Sequence, residues 1–414
     1  MNPTGLSFAT DMDTADPLAS FRRRFIIPAD TIYMDGNSLG LLSRDGEACV
    51  RRITEEWKTL GIEGWLKAER PWLEYSEVLG GEVAPLVGAS PDEVVATGTT
   101  TVNLHALVTT FYKPNGHRTK LLADDLTFPS DVYAIRSQVL LRGLDPDKHL
   151  VFSPVRDGRF LDEDGIVDMM GEEVALVVLP SVLYRSGQLL DVRRLTEEAH
   201  RRGILIGFDC SHSVGAIPHR FDEWDVDFAF WCGYKYLNGG PGCPAFLFVN
   251  KKHFDREPAL AGWFGYRKDR QFDMRTEFEH QRGAGGWQIG SPSMLSTAPL
   301  EGSLGIFREA GIDAVREKST KMTSYLVSLL DETLCRPPYN FTIGTPREPE
   351  RRGGHIALEH VDKSSAVFEA LAARRVIADL RPPNIIRIAP CALYNTYEEI
   401  HQVVGHIREI MDEM

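Results

Sequence analysis

The sequence predicts an α/β protein, with a mostly parallel sheet in a large domain and a smaller α+β C-terminal domain after it. Three observations carry this. Between residues 93 and 249, apolar runs of strand length alternate with segments of helical length and period. That is the pattern of a sheet covered on both faces. From about residue 300 the texture changes to short strands spaced by amphipathic helices, as in a unit with an antiparallel sheet. At 414 residues the chain also exceeds what one hydrophobic core usually supports.

The elements follow in order. "EVVAT" (93–97) reads as a strand and "TVNLHALVTTFY" (101–112) as the helix behind it. "KLLAD" (120–124) and "SDVYAIRSQVLL" (130–141) repeat the pair, as do "VALVVLPSV" (174–182) and "DVRRLTEEAHRRG" (191–203). "ILIGFD", "DFAFWC" and "AFLFV" are three more apolar strands. Beyond residue 300, "EGSLGIFREAGIDAVREKSTKMTSYLVSLLDETL" reads as one long helix. Short strands follow at "FTIGT", "GGHIALEH", "VIADL" and "IIRIAP", with helices at "SSAVFEALAARR" and "TYEEIHQVVGHIREIMDEM". The expected division is an arm at 1–50 packing on the small domain, a large domain at 51–299 and a small domain at 300–414.

Composition narrows the function. A formal charge of −13 argues against general binding to nucleic acid or to an anionic membrane. No apolar run approaches the roughly 20 residues that cross a bilayer. The N-terminus lacks a basic stretch followed by an apolar one, so it does not read as a secretory signal. Six scattered cysteines without a C-x-x-C pair fit free thiols in a reducing compartment, the cytoplasm, and no metal site.

In sheets of this kind, ligands bind at the carboxyl ends of the strands. Three of those ends carry unusual chemistry. "TGTTTVN" (97–103) opens a helix with a run of threonines, a setting for a phosphate. It is not a P-loop, because the G-x-x-x-x-G-K-[ST] pattern is absent. "DCSH" places Asp209 and His212 after one strand, and "GYKYLNGGPG" places Tyr234 and Lys235 after the next. A buried lysine is costly unless it is paired or chemically used. Phosphate site, acid and lysine together suit pyridoxal 5′-phosphate (PLP), which has a phosphate, a basic ring nitrogen and an aldehyde. Each part alone has a commoner structural reading; their combination and order are what point to the cofactor.

At these residues the chain resembles the fold-type-I PLP enzymes, and within them the kynureninases. The likeness covers nearly the whole chain. It is carried by "YMDGNSLG", "LTFPSDVYA", "LPSVLYRSGQLLD", "FDCSHSVGAIPH", "DFAFWCGYKYLNGGPG", "GWFGYR" and "IRIAPCALYNTYEE". The resemblance implies that Lys235 is the Schiff-base lysine, Asp209 the partner of the ring nitrogen and His212 its neighbour. It implies that Thr100 and Thr101 hold the phosphate, that Phe128 stacks on the ring and that Asp131 lines the same pocket. Tyr234 and Trp263 match phosphate-side donors, with Tyr234 as a candidate proton relay. Ser181 is a further cofactor contact in the family. Ser291 stands where the family has a Thr or Asn that reaches the cofactor phosphate from the other subunit. Arg387 matches the clamp for the substrate α-carboxylate, and Trp65 a position facing the substrate's aromatic ring.

The implied reaction is hydrolysis of the Cβ–Cγ bond of L-kynurenine, with its 3-hydroxy form as a second candidate, to anthranilate and L-alanine in tryptophan degradation. The implied assembly is a homodimer with shared active sites. Two alternatives stand beside it: a cysteine desulfurase-like PLP enzyme, and a non-catalytic PLP-binding homologue. A desulfurase needs a reactive cysteine on a mobile loop, and neither Cys335 nor Cys391 has Gly/Ser flanks of that kind. A pure binder has no use for the carboxylate clamp.

Overall fold

The computed structural model describes residues 4–414, the side chain of Arg156 excepted. The first three residues of the expected arm therefore lie outside the described residues. The large sheet has seven strands: β1 (Val94–Thr97), β2 (Lys120–Asp124), β3 (Leu150–Ser153), β4 (Val174–Pro180), β5 (Leu205–Asp209), β6 (Phe228–Trp231) and β7 (Ala245–Val249). Their order is β1-β7-β6-β5-β4-β2-β3. Only β7 runs against the rest. The central strands are buried almost throughout, because helices cover both faces.

The chain begins with α1 (Leu6–Thr14), α2 (Arg44–Leu60) and α3 (Tyr75–Val87); crossover helices α4 (Thr100–Phe111), α5 (Pro129–Leu140) and α6 (Val192–Arg201) come next. Two long helices, α7 (Met294–Ala310) and α8 (Ile312–Thr333), lead to α9 (Ser364–Ala373) and α10 (Tyr397–Glu413). The single helix expected over 301–334 is thus two. Gly311, at φ +75°, breaks it, a backbone conformation that glycine adopts without strain.

The second sheet holds β8 (Thr342–Ile343), β9 (Ile356–Glu359), β10 (Asp379–Arg381) and β11 (Ile385–Ile388), in the order β8-β9-β11-β10. All its pairings are antiparallel. "VIADL" is not one strand. Val376–Ile377 pairs in parallel with Ile32–Tyr33, and the chain then turns into β10.

Three main cores result among the described residues. One joins one face of the large sheet to α3, α7 and the first residues of α8, up to Val315; a second fills the other face against α4 and α5; the third takes α8 from Met322 with β8 to β11 and α10. The expected boundary at 299/300 falls inside α7, which packs along α2 and α3. The cores change over within α8 instead. The N-terminal arm also divides. Ala9 of α1 belongs to the third core, while Leu18, Phe25 and Leu41 belong to the first. Asp13 caps α10 by accepting from Tyr397 N and Glu398 N at 2.7 and 2.9 Å. Asp16 pairs with buried Lys318 at 2.6 Å.

Candidate active site

The strand ends are level. Pro180 lies opposite Asp209 across β4 and β5, and Asp209 opposite Phe230 across β5 and β6. A cavity of about 190 Å³ opens at these ends, bounded below by Asp209, His212 and Lys235. Of the other expected residues, Thr100, Thr101, Phe128, Asp131, Tyr234 and Arg387 also line it.

Local sequence explains each placement. Gly98, at φ +55°, turns the chain out of β1. Thr99 then caps α4 by accepting from Val102 N at 3.4 Å, so the free N–H groups of the first turn and the Thr100 and Thr101 side chains border the cavity. Thr101 Oγ1 lies 2.6 Å from Ser130 Oγ, and Thr100 Oγ1 lies 3.0 Å from Cys232 Sγ. Asp124, buried at the end of β2, accepts from Leu126 N at 2.8 Å and shapes the turn that presents Phe128. Pro129 starts α5 directly after it. Lys235 stands four residues beyond β6, in a tight loop and not on the strand itself. Asn238 N donates to Lys235 O, and Gly239 N to Gly233 O, both at 2.9 Å. Tyr236 packs away from the cavity, against Val182, Ala216 and Ile217.

Charge is arranged in pairs. Lys235 Nζ lies 2.9 Å from His212 Nε2. Burial, then Lys235 itself, pushes the His212 pKa well below its ordinary value, so the ring is neutral. Its Nδ1 has no hydrogen-bond partner among the described residues. Asp131 is raised well above the carboxylate range by burial and by the adjacent Asp209, to which it hydrogen-bonds. Asp131 thus carries the proton of the pair. Asp209 Oδ1 also accepts from Ser211 N at 2.8 Å. Tyr234 is pushed up, mainly by burial, and stays a phenol.

Arg387 is fully buried in β11, opposite Asp379 in β10. Its Nε donates to Asp379 Oδ2 at 2.6 Å, Nη1 to Tyr184 O at 2.8 Å and Nη2 to Ser38 Oγ at 3.0 Å. A guanidinium has five N–H groups, so one remains on each Nη. That pair suits a carboxylate.

Four expected residues lie elsewhere. Ser181 is buried behind β5, with its hydroxyl on Ser213 Oγ at 2.7 Å and Asp209 O at 3.3 Å. Trp65, Trp263 and Ser291 gather around a separate apolar cavity of about 370 Å³, with Ile62, Phe264 and Phe272. Trp263 Nε1 donates to Gln271 O at 3.2 Å. The Lys235 cavity also has lining residues that sequence reasoning did not single out: Asn37, Ser38, Ser130, Tyr184, Ser211 and Arg381. Asn37 and Ser38 sit in the "YMDGNSLG" segment, whose polar turn was the available signal. Cys335 and Cys391 are not on the cavity wall, and burial raises both thiols. Among the described residues no cluster suits a metal ion.

The lining fits PLP by its donor set. The cavity holds a lysine, a carboxylate pair carrying one proton, an aromatic face in Phe128 and a helix N-terminus for a phosphate.

A family model described as the kynureninase C-terminal domain matches residues 315–407. The kynureninase of Geobacillus thermodenitrificans (strain NG80-2) is 57% identical over 100% of this chain and 96% of its own length. That of Bacillus anthracis is 55% identical over 98% and 94%. Among solved structures, the apo cysteine desulfurase of Thermococcus onnurineus NA1 superposes with a TM-score of 0.80, at 17% identity over 95% of this chain and 98% of that one. A mutant of the C-DES enzyme with glycine covalently linked to its PLP cofactor gives 0.79, at 16% identity over 93% and 98%. At such identities these two structures speak for the fold alone.

Proposed function

The chain belongs to the kynureninase family, and from that premise we propose that it hydrolyses the Cβ–Cγ bond of L-kynurenine to anthranilate and L-alanine, as a step of tryptophan catabolism. The observation that carries this is the meeting of Lys235, Asp209 and Arg387 in one cavity, in a chain that matches 94–96% of the length of these relatives. Bound there, PLP supplies an electrophilic carbon for the substrate amine and a protonated ring that draws electron density from Cα.

The protein's residues do the rest. Arg387 receives the α-carboxylate on its two remaining N–H groups and so sets the orientation of Cα. Lys235 is placed to take the Cα proton and to return it within the same cavity. Asp209 would hold the cofactor's ring nitrogen, with protonated Asp131 donating to Asp209. Phe128 would offer the ring an aromatic face. Thr100, Thr101 and the start of α4 would hold the phosphate, with Tyr234 near them as a proton relay.

The assembly reading follows from Trp65, Trp263 and Ser291. They stand together but apart from Lys235, among exposed apolar residues such as Ile62, Leu66 and Phe272. A second copy of the chain covers this patch and receives these three side chains at the edge of its own Lys235 cavity. This gives the contacts that the family assigns to Trp65, Trp263 and Ser291 without moving them within the chain. The free cysteines support a cytoplasmic setting. No helix among the described residues is long and apolar enough to cross a membrane.

The test is product analysis of the PLP-loaded protein with L-kynurenine. Anthranilate and L-alanine in equal amounts are expected; sulfide from L-cysteine without either product would overturn the reading.

A further inference from the structure

We propose that Asn37 is a second recognition group for the substrate's α-carboxylate, working beside Arg387. Asn37 lines the Lys235 cavity and is fully buried. Neither its Nδ2 nor its Oδ1 has a hydrogen-bond partner among the described residues. Buried amides are seldom left so, because an unpaired donor and acceptor are both costly. Such a side chain on a cavity wall is matched to something that enters the cavity.

The turn that carries Asn37 is fixed. Ser38 N and Leu39 N donate to Asp35 O at 3.0 and 3.1 Å, and Gly40 N donates to Tyr234 O at 2.8 Å. Tyr33 Oη donates to Leu39 O at 2.7 Å. Gly36 leaves room only for hydrogen, since a Cβ there would lie 2.3 Å from the Tyr394 hydroxyl. The turn therefore presents the amide without a further ordering cost on binding.

Its position says which end of the substrate it meets. Ser38, the next residue, accepts from Arg387 Nη2, and Asp35 pairs through its backbone with Ala389, just after β11. The turn thus runs along the guanidinium before it reaches Tyr234. A carboxylate offers about four lone-pair sites, and the two remaining N–H groups of Arg387 use two. Asn37 Nδ2 donates to a third. A neutral donor suits this place, because Asp379 Oδ2 already accepts from both Arg387 Nε at 2.6 Å and Arg381 Nε at 2.8 Å, and an amide adds a donor without adding a third cation.

The inference rests on the kynurenine reading of the cavity, so its test uses binding as well as turnover. L-Alanine and ethylamine, which differ in the carboxylate, are titrated into PLP-loaded wild type and N37A while the cofactor absorbance is followed. For N37A we expect L-alanine to bind about tenfold more weakly, the loss of one hydrogen bond to a charged group, with ethylamine changed less than twofold. KM for L-kynurenine rises by a similar factor. N37D weakens L-alanine further, since a carboxylate then faces a carboxylate. The cofactor-free N37A protein keeps its melting temperature, because the amide has no bond to lose. Equal weakening of both ligands, no weakening, a fall in kcat without a rise in KM, or a large drop in melting temperature overturns the assignment. If N37A does not fold, N37S carries the same comparison with an intermediate loss expected. Wild type that releases no anthranilate would overturn the kynurenine reading, while the alanine–ethylamine comparison still judges Asn37.

Discussion

Lys235 Nζ and His212 Nε2 are 2.9 Å apart at the base of the cavity, with the imidazole held neutral. Burial and the lysine both oppose a second positive charge there. The His212 ring is therefore expected to show no titration between pH 5 and 8 when followed by NMR. A His212 transition near the ordinary value of about 6.5 would contradict the arrangement. His212→Phe keeps a flat ring but removes the acceptor facing Lys235, and a loss of about tenfold to a hundredfold in kcat is expected, the worth of one hydrogen bond to a charged group.

Asp131 and Asp209 divide one proton between two roles. Asp131 carries it, so Asp131→Asn replaces one neutral hydrogen-bonding group by another and costs less than about tenfold in kcat/KM. Asp209→Asn removes the group proposed to support the ring nitrogen and is expected to cost at least about a hundredfold. Steady-state kinetics of the two variants checks the order, and equal losses would show that the proton is not on Asp131.

Asp227 is a stability residue far from the chemistry. Burial alone would raise its pKa, but hydrogen bonds from His200 and His253, the nearby Lys252 and the Ile206 N–H outweigh it and hold the carboxyl far below the usual range. A depressed carboxylate pKa stabilises the fold above the unfolded value of about 4, and that contribution fades as pH falls below it. Asp227→Asn is expected to cost about 3 kcal/mol at pH 7 and less at pH 3.5, by denaturant unfolding at the two pH values. An equal cost at both would refute the ionic account.

The proposed shared-site dimer predicts complementation. Lys235→Ala and Trp263→Ala chains, each nearly inactive alone, are mixed under conditions that exchange subunits. Hybrids then hold one site with both defects and one with none, so roughly a quarter of wild-type activity returns. No recovery despite demonstrated exchange would place Trp263 in its own chain's site.

Much of this was legible before the structure, and for physical reasons. Strands buried on both faces are continuous apolar runs, so their ends, and with them Asp209 and Lys235, could be located. Other features depend on distant parts of the chain. Asn37 and Ser38 reach the cavity because Met34 O accepts from Ala389 N and Gly40 N donates to Tyr234 O. No local pattern encodes those contacts. The break at Gly311 was hidden because apolar residues keep a helical period on both sides of it. The split of "VIADL" depends on its pairing with Ile32 and Tyr33. The separation of Trp65, Trp263 and Ser291 from Lys235 is a property of one folded chain and leaves no mark on residue spacing.

The most direct measurement is anthranilate fluorescence after L-kynurenine is added to PLP-loaded wild type and to Lys235→Ala. The account predicts steady release of anthranilate by wild type. In the variant it predicts none beyond the uncatalysed rate, and no cofactor covalently trapped on the protein by borohydride. Anthranilate formed by Lys235→Ala at near wild-type rate would contradict the central role given to this lysine.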